Sequence, residues 1–96
     1  MTIFAILLPA PNPQLAEAIE RAYPGNWLSL NETQFLVSAS ATAIEVSAKI
    51  EVADPNAPQK PPVGAAVIFA TTSYYGRAPT HVWDWVKVKL ESPPNG

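Results

Sequence analysis

Cysteine is absent from the 96 residues, and with it every disulfide framework, thiolate metal site and cysteine nucleophile. A single histidine, His81, excludes a multi-histidine metal centre within one chain. The four glycines, at 25, 64, 76 and 96, stand apart, so neither a phosphate-cradling loop nor a dinucleotide fingerprint can be assembled. Charge is sparse: 15% of residues are charged and the formal net charge is −2, which offers no basic footprint for a phosphate backbone. No apolar run approaches the about 20 residues that a membrane helix needs. The run Thr2–Leu8 lacks a basic flank and meets Pro9, Pro11 and Pro13, so it reads as a buried first strand rather than a secretory leader. A cytoplasmic protein without a membrane partner or a cofactor is the expectation.

What the chain does have is apolar material, 48% of its residues, enough for one modest core. A chain of this length buries only roughly 60–65% of its unfolded surface. Eleven prolines fall in clusters: after the first apolar run, at Pro24, through Pro55, Pro58, Pro61 and Pro62, at Pro79, and at Pro93 and Pro94. Proline lacks the N–H that helix interiors and central strands require, so these clusters mark connections. One domain over residues 1–92 follows, with a proline-rich surface loop at 53–63 and a flexible tail at 93–96.

Within that domain Thr2–Leu8 is a strand, apolar on both faces and hence central. Asn12 followed by Pro13 predicts a helix start, with asparagine as the cap and proline at the first helical position. Leu15, Ala18, Ile19, Ala22 and Tyr23 form one helical stripe that stops at Tyr23-Pro24-Gly25. Asn26–Leu30 and Thr33–Ala39 read as a hairpin around Asn31-Glu32. Thr42-Ala43-Ile44-Glu45 has the spacing of a capping box and opens a helix to about Val52. Gly64–Ala70 is another apolar strand. The last segment fits two patterns: Val82, Trp85, Val86, Lys89 and Leu90 make a helical stripe, whereas Val86-Lys87-Val88-Lys89-Leu90 alternates as a strand would. Helix is preferred, because Pro79-Thr80 followed by Asp84 looks like a helix entry. The predicted class is α+β: a ferredoxin-like β-α-β-β-α-β sandwich with an additional C-terminal helix or strand.

The helix closing on Tyr23-Pro24 before Trp27, the run Thr33-Gln34-Phe35-Leu36-Val37 and the capping box that follows resemble the SinR-like small proteins. These are related to the VapD toxins and to a CRISPR-associated nuclease subunit of one ferredoxin-like superfamily. The resemblance covers roughly residues 2–70 and implies the same fold. Nuclease members carry an aspartate at the end of the first strand as a metal ligand; here that stretch is Leu7-Leu8-Pro9, so no metal-dependent cleavage is expected.

The remaining chemistry is thin. Glu17 and Glu20 share the solvent face of a helix, Glu45 is engaged as a cap, and Asp54-Pro55 starts a turn, so no converging carboxylate pair is legible. No catalytic, cofactor-binding or metal residue is assigned. The segment after the last apolar strand, Thr71 to Pro79, combines hydroxyls with Tyr74, Tyr75 and Arg77 and leads to His81. Tyrosine and arginine are enriched at binding hot spots, so these four residues are the candidate partner or ligand loop. Strands that are apolar in both directions imply that something covers the second face of the sheet, most simply a second copy. The competing reading has the terminal segment, with Trp83, Trp85 and Leu90, folded across that face in the same chain. A non-enzymatic interaction module acting as a homodimer is therefore expected. The alternative, a nucleic-acid-binding or nucleic-acid-processing protein of the VapD-like superfamily, would stack bases on an open sheet through Trp27 or Phe35. The net charge does not favour it.

Overall fold

The computed structural model describes residues 1–59, 61–71 and 76–91. Four strands and three helices follow one another as β1 (Thr2–Leu7), α1 (Pro13–Ala22), β2 (Trp27–Asn31), β3 (Gln34–Ala39), α2 (Ala43–Lys49), β4 (Val67–Ala70) and α3 (Thr80–Glu91). The strands form one sheet in the order β2-β3-β1-β4, and every neighbouring pair is antiparallel. The class is α+β. Among the described residues no helix is long and apolar enough to cross a membrane.

The helix starts follow the local chemistry closely. The Asn12 side chain accepts the N–H groups of Gln14 and Leu15 at 3.1 and 3.2 Å, with Pro13 in the first turn where a missing donor costs nothing. At α2 the box is reciprocal: the Glu45 N–H donates to the Thr42 hydroxyl at 3.2 Å, and the Thr42 N–H donates to the Glu45 carboxylate at 2.9 Å. Each satisfies a backbone donor that the helix cannot.

The period-2 alternation of the strands sorts side chains onto two faces. Phe4, Ile6 and Leu8 join Phe35, Val37 and Ala39 on one face, where they pack against Leu15, Ala18 and Ile19 of α1 and Val46 and Ile50 around α2. This is the main core, and full burial of each large side chain contributes roughly 1.5–3 kcal/mol. Ile3 points to the other face. There it meets Val82 and Val86 of α3, with Leu28, Leu36 and Trp85 packed around them. The terminal helix of the same chain, and not a second copy, therefore covers this part of the second face.

Several expectations are corrected. The last segment is not one of them: it is the helix preferred from the sequence rather than the alternative strand. Val88, which fits the helical stripe least, is exposed on it. α2 ends at Lys49 rather than near Val52, because Glu51 adopts a φ of 65°. The Glu51 N–H then reaches the Ala48 carbonyl and the Val52 N–H reaches the Ser47 carbonyl, a Schellman closure built without glycine. β4 begins at Val67 rather than at Gly64, because β1 ends at Leu7, which stands opposite Val67. Gly64 instead lies against the Asn12 side chain, too close for a Cβ. The hairpin turns at Glu32-Thr33, one residue later than expected, with the Asn31 carboxamide accepting the Thr33 N–H at 2.8 Å and a register shift between Ser29 and Asn31.

Candidate functional site

The two outer strands of the sheet are β2 and β4. In β4 the hydrogen-bonding direction of each residue follows from the ladder. The Thr71 N–H donates to the Ile3 carbonyl at 2.9 Å, so in the antiparallel register Phe69 faces Ala5 and Val67 faces Leu7 as hydrogen-bonded pairs. Ile68 and Ala70 alternate with them, and their N–H and C=O groups point away from β1.

The side chains around this edge are apolar and exposed. Phe69 and Val67 are 53% and 55% accessible and Leu7 is 40% accessible, all three on the sheet face that α3 shares. α3 packs over Ile3, Leu28 and Leu36 but does not bury Leu7, Val67 or Phe69. On the opposite side of the edge, Ile44 in the first turn of α2 is 64% accessible. It forms one wall of a groove of about 710 Å³ between α2 and β4, with Ala43, Val52, Pro58, Pro62, Val67 and Ile68 among its other lining residues. The Ser47 hydroxyl, also at this groove, donates to the Ala53 carbonyl at 3.0 Å and so serves the chain turn after the helix. A groove of this composition holds apolar side chains; it offers no acid–base pair.

A second, more polar depression lies at the far end of the sheet, where Tyr23, Asn26, Ser40, Glu45 and Lys49 come together. The Lys49 ammonium lies 4.7 Å from the centre of the Tyr23 ring, a cation–π contact. Burial, and secondarily the nearby Glu45 carboxylate, push the Tyr23 hydroxyl above its usual pKa of 10.0. A neutral phenol that resists ionisation and is already covered by lysine is a packing element.

Of the residues singled out in the sequence, Tyr74 and Tyr75 lie outside the described residues. Arg77 and His81 are both exposed. Arg77 borders a cleft between α3 and the sheet that also takes in Ile3, Leu30, Leu36 and Trp83, whereas His81 is not among its lining residues. Glu17 and Glu20 stand on the solvent side of α1. Among the described residues no group of three histidine, aspartate or glutamate side chains could hold a metal ion. The aromatic residues expected on an open sheet are not there: Phe35 is buried in the main core and Trp27 packs against it. The aromatic side chain that does stand free on the sheet is Phe69. In the sequence Phe69 counts among the apolar strand residues that require a covering surface, but it is not singled out as a binding residue, because Gly64–Ala70 reads as a core strand. The further signal was the lack of any charged residue between Pro61 and Gly76. No protein-family model, curated protein or solved structure matches this chain.

Proposed function

We propose that the protein is a small interaction module that works as a homodimer, on a ferredoxin-like sandwich with an added C-terminal helix. The strand order β2-β3-β1-β4 with antiparallel neighbours, and α1 and α2 packed on one face, support that fold assignment. The same topology supports kinship with the SinR-like proteins at the level of fold alone.

The observation that carries the functional reading is a concentration of apolar surface. Four of the seven large apolar side chains exposed among the described residues, Leu7, Ile44, Val67 and Phe69, border one strand. Scattered exposed leucines are ordinary, but large apolar side chains concentrated on both sides of one sheet edge support a surface that meets another protein. Sedimentation equilibrium at micromolar concentration tests the reading. Twice the monomer mass is expected, and a single species of monomer mass up to hundreds of micromolar would overturn the homodimer.

A further inference from the structure

We propose that a second copy of this chain completes the sheet along the free edge of β4, by antiparallel β4–β4 pairing about a two-fold axis at Phe69. The inference rests on the homodimer reading and adds the surface, the register and the residues that meet.

The outward-pointing backbone groups select the register. Ile68 and Ala70 present their N–H and C=O groups to the outside, because the alternate residues Val67, Phe69 and Thr71 are turned to β1. Two symmetric pairings use these groups. With the axis at Phe69, Ile68 faces the partner's Ala70 and Ala70 faces the partner's Ile68, giving about four hydrogen bonds drawn wholly from β4. With the axis at Ile68, the strand supplies only one such pair and the next must come from Ala66, which precedes the strand. The first arrangement satisfies more of the edge with ordered backbone.

The side chains agree with that choice. Phe69 and the partner's Phe69 become a directly opposed pair without hydrogen bonds between them, the position in which antiparallel neighbours approach most closely and aromatic pairs stabilise a sheet. Val67 falls opposite the partner's Thr71. The two-fold axis runs perpendicular to the sheet, so the α2 helices of both copies lie on the same side. Ile44 and the groove beneath it then face the partner's Ile68 and Ala70.

A second copy is favoured over a charged peptide because residues 61–76 carry no charge. Two such edges meet without like-charge repulsion, and an acidic or basic ligand finds nothing there to read.

The absence of cysteine makes the test clean, since any thiol introduced is the sole one in the chain. Phe69→Cys, Ile68→Cys and Leu30→Cys are oxidised separately with oxidised glutathione at micromolar protein, alongside sedimentation of the unmodified protein. Opposed non-hydrogen-bonded positions sit about 4.5 Å apart at Cα, within disulfide range. The expected result is a covalent dimer from Phe69→Cys, at least tenfold faster than from the other two variants. A native dimer that cross-links fastest through Leu30→Cys, or equally through all three, would overturn the β4 pairing while leaving the homodimer in place. A native monomer would overturn both.

Discussion

The two edges of the sheet are built in opposite ways. β2 carries a register shift between Ser29 and Asn31, which twists the strand end away from a flat template. The Ser29 hydroxyl covers the Asn31 carbonyl at 2.9 Å, and the Asn31 carboxamide donates to Gln34 at 3.1 Å. At its other end Lys89 reaches from α3 to the Gly25 carbonyl and the Asn26 side chain at 2.9 and 3.0 Å. β4 has none of these devices among the described residues: four apolar residues, uncharged flanks, and two large side chains more than half exposed. An edge that meets water is protected by bulges, polar side chains and charge; an edge left flat and apolar is one that expects another strand. The contrast is what supports placing the proposed interaction surface at β4, without any appeal to catalytic residues.

The largest effect that separates the edges is a charge on each. Phe69→Lys buries an ammonium at the centre of the proposed pairing and abolishes the dimer, with the circular dichroism of the fold retained because Phe69 is outside both cores. Leu30→Lys on β2 leaves the sedimentation of the dimer unchanged. If both variants remain dimeric, the edges are equivalent and the comparison fails. A smaller effect comes from the chain that leads into β4. Gly64→Ala forces a methyl group against the Asn12 carboxamide, which both caps α1 and donates to the Val63 carbonyl at 3.4 Å. Loss of that cap costs about 1–2 kcal/mol in chemical denaturation. The smallest effect lies on the guarded edge. Lys89→Ala removes two exposed or half-exposed hydrogen bonds, lowers stability by about 1 kcal/mol or less, and leaves association intact.

Much of the fold could be read from local signals. Asn12-Pro13 and the stripe from Leu15 to Tyr23 specify α1, and Thr42 with Glu45 specifies the start of α2, because caps and helical periodicity act over a few residues. The end of α2 was not legible, since nothing in glutamate favours the left-handed conformation that Glu51 adopts. Nor were the bounds of β4, which depend on how far β1 extends to meet it. An all-apolar run such as Gly64–Ala70 is compatible with a strand buried on both sides, and only the topology reveals that this one lies at an edge. That is also why the binding surface was sought in the tyrosine-bearing loop, and why base stacking was assigned to Trp27 and Phe35. Alternation sorts residues of one strand into two sets, but which set faces α1 and α2 is decided by tertiary packing.

The central claim is that the outward backbone groups of β4 are bound in the working form of the protein. Hydrogen–deuterium exchange of individual amides, followed as a function of protein concentration, reads this directly. The Ile68 and Ala70 amides should be protected at high micromolar concentration and exchange at least tenfold faster when dilution populates the monomer, while Phe69, bonded to β1, stays protected throughout. Fast exchange of Ile68 and Ala70 at every concentration, in a protein that nevertheless sediments as a dimer, would contradict the account.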